Sequence, residues 1–241
     1  MKYDPIKKSL GRIFNARPFM RVLFYKALDI LLLRAWHIKR EIRKHKKSLP
    51  PSPAFLDAGS GFGQYTFFLS RRFPAARILG VDVKEEQIAD CNRFFKKNER
   101  VNFEVADLTR FSPVDKYNLI LSVDVMEHIE EDVLVFQNFH RALRKEGLLL
   151  ISTPSDQGGS DVHDDHGESF IDEHVRDGYN IKEIEDKLKT AGFSRVHARY
   201  SYGSPGKISW RLSMKYPIIL LNQSRLFFIL LPLWYLITFP F

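Results

Sequence analysis

From Ala54 onward the chain alternates short apolar runs with segments whose apolar residues recur at helical spacing. Ala54–Asp57 predicts a first strand, and Gln64–Arg72 a helix that Phe73 and Pro74 stop. RILGVDV (77–83) predicts a second strand. Lys84–Lys97 predicts a helix with Ile88, Cys91 and Phe95 on one face. VNFEVAD (101–107) and YNLILSV (117–123) predict a third and fourth strand. Glu131–Lys145 predicts a helix with acids in its first turn, bases in its last and Gly147 beyond it. GLLLIST (147–153) is the fifth expected strand and SRVHARY (194–200) the sixth. Between them Asn180 opens a helix as its cap, with Glu183 three residues on, and Gly192 ends it. Repeated strand–helix units imply a doubly wound α/β fold with a mostly parallel sheet and helices on both faces. Ligands of such sheets bind at the carboxyl ends of the strands, at the switch point beside strand one.

Both flanks carry a different pattern. Residues 17–47 place Val22, Leu23, Ala27, Ile30, Leu31 and Leu33 at helical spacing and end in a basic run. A wide apolar stripe among Lys and Arg matches an amphipathic helix lying in a membrane interface; the same pattern also suits a helix covering the domain. Residues 216–241 are two apolar runs interrupted by NQSR. The second, Leu226–Phe239, has 14 residues and contains Pro232. That is short of the roughly 20 apolar residues of a spanning helix. Trp234 and Tyr235 suit the interfacial layer. The organisation expected is a basic N-terminal helical segment (1–50), a catalytic α/β domain (51–205) and a hydrophobic C-terminal segment (206–241).

Charge sharpens that division. The net charge of +8 hides an uneven distribution. Residues 1–50 hold 14 Lys/Arg against 3 Asp/Glu, and residues 195–241 hold 6 Lys/Arg and no acid, while residues 51–194 hold 17 basic and 26 acidic residues. Basic ends around an acidic centre seek an anionic partner. The apolar bulk beside them favours an anionic membrane surface over nucleic acid, which would gain nothing from it, and no aromatic–basic RNA motif is visible. A hydrophobic homodimer interface is the competing reading. A single cysteine, Cys91, gives no internal disulfide framework and fits a reducing compartment, and the first residues lack the apolar core of a secretory signal. The expected location is cytoplasmic, peripheral on the inner face of the membrane.

The loop after the first strand reads Asp57-Ala-Gly59-Ser-Gly61-Phe-Gly63. The nicotinamide fingerprint would put a third Gly or Ala where Gln64 stands. An acid ahead of the loop is a poor neighbour for pyrophosphate and a good one for a cationic ligand. This stretch resembles the first motif of the class I S-adenosylmethionine-dependent methyltransferases. Asp82 follows at the end of strand two, where a carboxylate accepts ribose hydroxyls. Asp107 ends strand three, where the resemblance implies an acid facing the adenine amino group. SVDVMEHI (122–129) and LRKEGLLLISTP (143–154) are similar to the family's later motifs. The resemblance covers about Phe55 to Tyr200. It implies a Rossmann-like, seven-stranded sheet, S-adenosyl-L-methionine as cofactor, and a cofactor set of Asp57, Gly59, Gly61, Gly63, Asp82, Val83, Asp107, Leu108 and Ser122.

Methyl transfer is a displacement at a sulfonium methyl, so the enzyme aligns donor and acceptor and deprotonates a hydroxyl acceptor. Asp124, Glu127 and His128 follow strand four; in a helical turn they would share one face. Their D-x-x-E-H pattern resembles the metal-binding E-x-x-E-H of quinone-biosynthesis and small-RNA methyltransferases. With Asp in the first place, a divalent metal is the less favoured reading. The polar stretch 154–180 carries His163, His166 and His174. His174 lies shortly before the helix at Asn180, where related methyltransferases often place a His toward the acceptor. His174 is therefore the first candidate base and His128 the second, with Glu127 beside it. The function expected is methylation of a hydroxyl or other nucleophile on a lipid-like or amphipathic acceptor at a membrane surface. The alternatives are a soluble methyltransferase whose apolar ends form a dimer, and an inactive membrane-bound binding module.

Overall fold

The computed structural model of the protein describes residues 18–157, 175–176, 178–224 and 227–238. Its sheet has five parallel strands: β1 (Ala54–Ala58), β2 (Arg77–Asp82), β3 (Val101–Val105), β4 (Tyr117–Val123) and β5 (Leu143–Ser152). Their order is β3-β2-β1-β4-β5, so the direction of winding reverses between β1 and β4. Parallel strands need crossovers. These are α3 (Gln64–Arg72), α4 (Glu85–Phe95) and α5 (Asp132–Ala142), preceded in the chain by α1 (Pro18–Leu31) and α2 (Leu33–Lys44).

Alternation along each strand divides the core in two. Leu56 and Ala58 of β1, Val81 of β2 and Ile120 of β4 pack with Phe136 and Phe139 of α5 and Ile184 of α6 (Ile181–Thr190). Elsewhere in the core, aromatic edges interlock: Phe55 meets Phe73 at 5.2 Å and Phe95 meets Phe103 at 5.3 Å between ring centroids. Gly80 leaves the room that Phe103 occupies; a Cβ there would lie 2.4 Å from that ring. Asn180 caps α6 as its sequence predicts, its side chain accepting from the Glu183 amide at 2.8 Å.

Two expectations need correction. The sheet has five strands, not seven, and residues 194–200 form none. The Ala198 amide donates to Glu185 Oε1 at 3.0 Å instead of a neighbouring strand, and Arg195 pairs with Glu146. The alternation that predicted a strand there only half-buries one side of a non-strand segment. Helix α5 stops at Ala142, not Lys145, because Asp115 and Lys116 donate their amides to the carbonyls of Arg141 and Ala142. Leu143 then enters β5 directly, with Glu146 in a left-handed turn (φ 59°). The two N-terminal helices bury one face and leave part of the expected apolar stripe outward. Arg21, Tyr25, Leu32, Ala35, Ile38, Lys39 and Ile42 are buried, whereas Leu23 and Ile30 are at least half exposed. Arg21 buries its stem by donating to the Tyr25 hydroxyl at 2.7 Å, and Lys39 does so by pairing with Asp29.

Contacts divide the chain into two compact units. One holds the sheet with α3 to α6. The other gathers α1, most of α2 and the described residues from 199 onward. Within it Arg199 binds Glu41 at 2.6 Å. Its C-terminal part runs through α7 (Ser204–Trp210), a π turn (Arg211–Lys215), α8 (Tyr216–Gln223) and α9 (Phe227–Thr238). Trp234 and Tyr235, the pair expected to suit an interfacial layer, also find partners within this unit. Their side chains donate to the Leu212 and Ser213 carbonyls of the π turn at 2.8 and 2.9 Å. A π turn disturbs the regular helical ladder, and these two donors satisfy carbonyls within it. Among the described residues no helix is long and apolar enough to cross a membrane.

Candidate active site

The loop between β1 and α3 is built on three glycines in the left-handed region, Gly59 (φ 75°), Gly61 (φ 50°) and Gly63 (φ 77°). An L side chain there costs roughly 1–2 kcal/mol. Gly59 is also sterically required, since a Cβ would lie 2.2 Å from Val125 Cγ2 in the turn after β4. The loop is tied to β2, with the Gly59 and Ser60 amides donating to the Val81 carbonyl at 2.8 and 2.9 Å. Cys91 is buried below it and directs its thiol at the Gly61 carbonyl, a packing role as its helical position predicts.

Asp82 is part of this cradle. Its Oδ2 accepts from the Gly61 amide at 2.9 Å and its Oδ1 from Lys84 at 3.0 Å. A carboxylate has about four lone-pair sites, so each oxygen can accept once more. Val83 beside it and Val105 at the end of β3 are large apolar side chains more than half exposed. Asp107 is exposed, and its Oδ1 accepts from the Thr109 amide and hydroxyl at 2.9 and 2.8 Å. These bonds hold its carboxyl below the usual carboxylate range. Asn138 of α5 clamps the same loop, donating to the Leu108 and Thr109 carbonyls at 2.9 and 3.0 Å. Leu108 itself is a core residue.

Asp57 lies in the sheet's interior. Thr66 donates to it at 2.6 Å, but burial, reinforced by the nearby Asp82 charge, pushes its carboxyl up to about 6. Ser122 pairs with Ala58 in register and is fully buried. The hydroxyls of Ser60 and Ser122 have no hydrogen-bond partner among the described residues and are left to a ligand or water.

The turn after β4 differs from the expected helical face. Asp124 adopts a left-handed backbone (φ 52°), and only Met126–His128 form a short 3₁₀ turn. Asp124 therefore stands outside the turn that carries Glu127 and His128. Glu127 is buried and accepts from the Thr153 hydroxyl at 3.1 Å, while His128 is partly exposed. Among the described residues no group of three or more His, Cys, Asp and Glu side chains could hold a metal ion. His163, His166 and His174 lie outside the described residues.

The sequence reading missed a polar clasp around this turn. Asp132, at the start of α5, is buried and takes Arg176, Lys187 at 2.7 Å and the Tyr179 hydroxyl at 2.7 Å. Arg176 also donates to the Ile129 and Glu130 carbonyls, and the Val175 amide donates to the Glu127 carbonyl at 3.0 Å. Burial pushes the Tyr179 phenol up to about 12, so it keeps its proton. The only signal in the sequence is a run of ordinary polar residues; nothing there shows that residues 132 and 176 meet.

Known proteins can now be set beside this geometry. The family described as methyltransferase domain matches residues 55–147. The match gives the chain a methyltransferase domain over those residues. Phosphoethanolamine N-methyltransferase 1 of Zea mays is 30% identical over 158 residues, covering 64% of this chain and 30% of that one. Malonyl-[acyl-carrier protein] O-methyltransferase 2 of Ilyobacter polytropus is 28% identical over 136 residues, covering 56% and 51%. The chain thus spans about a third to a half of the length of these curated relatives. Phosphoethanolamine N-methyltransferase 2 of Haemonchus contortus, solved with S-adenosyl-L-methionine, shares the fold at a TM-score of 0.57 and 21% identity over 80% of this chain and 44% of that one. The residues present fit S-adenosyl-L-methionine, the molecule with which that neighbour was solved: a loop without Cβ atoms, Asp82 with acceptor capacity in reserve, and exposed Val83 beside it.

Proposed function

We propose that the protein methylates a hydroxyl or other nucleophile of a lipid-like or amphipathic acceptor at a membrane surface, with S-adenosyl-L-methionine as methyl donor. The observation that carries methyl transfer is the Gly59–Gly61–Gly63 loop joined to Asp82 by the Gly61 amide. When bound, the cofactor supplies an electrophilic methyl on a sulfonium.

The rest of the work falls to this chain. The loop and Asp82, with Val83, Asp107 and Leu108, would hold and orient the nucleoside end. Ser60 and Ser122 offer two buried hydroxyls that have no hydrogen-bond partner among the described residues. Glu127, whose carboxylate accepts from Thr153 and whose carbonyl accepts from the Val175 amide, would hold the turn that carries His128. His128 and, from its sequence position, His174 are the proposed bases for a hydroxyl acceptor. Val125, just ahead of His128, lies against Gly59, which supports a base beside the cofactor loop. A lipid-like acceptor is supported by the apolar and basic ends rather than by the relatives. Those are named for phosphoethanolamine and for malonyl-acyl-carrier protein, and so for both nitrogen and oxygen acceptors.

The experiment is incubation with methyl-labelled cofactor and a host lipid extract beside the water-soluble fraction. Label in a lipid species supports the proposal; label only in soluble small molecules refutes the acceptor class. His128→Ala and His174→Ala are expected to lower turnover by about 10²–10⁴ with cofactor affinity kept. If neither does, the site works by alignment alone.

A further inference from the structure

We infer that the outward face of α9 is the surface by which this protein enters an anionic lipid bilayer. The inference deepens the proposed membrane-surface function by naming the surface, and its test does not depend on methyl transfer.

Five residues make the face: Ile229, Leu230, Leu233, Leu236 and Ile237, each more than half exposed. Their spacing of 1, 4, 7 and 8 from the first places them on one stripe of a helix. The helix is held from another side, where Trp234 and Tyr235 donate to Leu212 and Ser213 and Phe227 packs edge-on to Trp234 at 5.9 Å. The apolar stripe is therefore what α9 presents outward after its own packing is complete. An apolar strip of this kind on a soluble surface marks an interaction site.

Chemistry decides the occupant. No residue from 227 to 238 is charged, and the Thr238 hydroxyl is spent on the Trp234 carbonyl. The stripe therefore has nothing to offer the polar rim of a protein partner. The preceding helical stretch carries Lys207, Arg211 and Lys215 at successive four-residue steps, and residues 195–241 contain no acid. A second copy docked here would bring like charges together around a two-fold axis. Phosphates of an anionic bilayer would neutralise the same charges while acyl chains cover the stripe. Twelve residues of helix reach only about 18 Å, well short of the roughly 30 Å hydrocarbon core. The helix thus lies in the interface, buried about 5–10 Å deep.

The test is flotation of the full-length protein with vesicles of phosphatidylcholine alone and with about a third phosphatidylglycerol. The wild type is expected to float with the anionic vesicles, and high salt to weaken this without abolishing it. Leu233→Glu/Leu236→Glu, both at exposed positions, is expected to lower partitioning at least tenfold. Ile229→Gln/Ile237→Gln repeats the test with no added charge, and circular dichroism checks that each variant is folded. Calorimetry with S-adenosyl-L-methionine reads the cofactor site separately, and the variants are expected to match the wild type there. Unchanged flotation of folded variants overturns the inference. So does a wild type that ignores both vesicles, or one that is a dimer in light scattering and becomes monomeric in the variants. Loss of cofactor binding in the wild type would refute the methyltransferase reading and leave the flotation result standing.

Discussion

Asp57 offers a quantitative test, because its only hydrogen-bond partner among the described residues is Thr66, through hydroxyl and amide, and almost no water reaches it. Burial raises its carboxyl from an ordinary 3.8 to about 6, against the pull of Thr66. In the unfolded chain the same group ionises at its ordinary value. Between these two values the unfolded state has lost the proton and the folded state keeps it. Stability from this group is therefore fully present below the unfolded value and is lost as pH rises toward 6. The interval is worth about 3 kcal/mol at 1.36 kcal/mol per unit of pH. The perturbation is Asp57→Asn, which keeps an acceptor for Thr66 and cannot ionise. The variant's absolute stability carries the cost of a buried amide donor, about 1–3 kcal/mol if unpaired. The pH dependence carries no such offset, so the slope is the readout. Urea unfolding of the cofactor-free protein at intervals between about pH 4 and 7 gives it. The wild type should lose about 3 kcal/mol more than the variant over that range. Parallel curves would refute the reasoning and place Asp57 in contact with water or with a permanent positive partner.

Gly59→Ala should cost at least about 3 kcal/mol, combining left-handed strain with the clash against Val125. Adding Val125→Ala should recover only the steric part in urea unfolding; full recovery would show that φ carries no strain. Asp82→Ala removes an acceptor worth roughly 1.5–3 kcal/mol per charge-assisted bond. It should weaken S-adenosyl-L-methionine at least tenfold by calorimetry, and unchanged affinity would remove Asp82 from the site. Arg176→Gln leaves buried Asp132 with Lys187 and Tyr179 but frees the Ile129 and Glu130 carbonyls. A loss of about 2–3 kcal/mol is expected. A change below about 0.5 kcal/mol would show the clasp to be ornamental.

The sequence by itself determined the elements whose cause is local. Glycines at 59, 61 and 63 were legible because only glycine sits comfortably at positive φ, and Asn180 because a cap bonds its own third neighbour. The parallel sheet and its helices followed from the alternation of apolar periods. What required distant partners was not legible. Helix α5 ends early because Asp115 and Lys116 take its last carbonyls. The expected strand at 194–200 fails because Glu185 takes the Ala198 amide. Burial of Arg21 and Lys39 was not legible either, because it rests on Tyr25 and Asp29 as partners, which no hydropathy pattern foresees. The same holds at the site. Residue types named the candidates. Tertiary structure alone decided that Asp57 is desolvated, that Asp124 leaves the turn of Glu127 and His128, and that Arg176 grips Asp132 across more than forty residues of chain. Trp234 and Tyr235 make the point most simply. A buried Trp or Tyr seeks a partner for its polar end, and here folding placed two carbonyls of a π turn within reach.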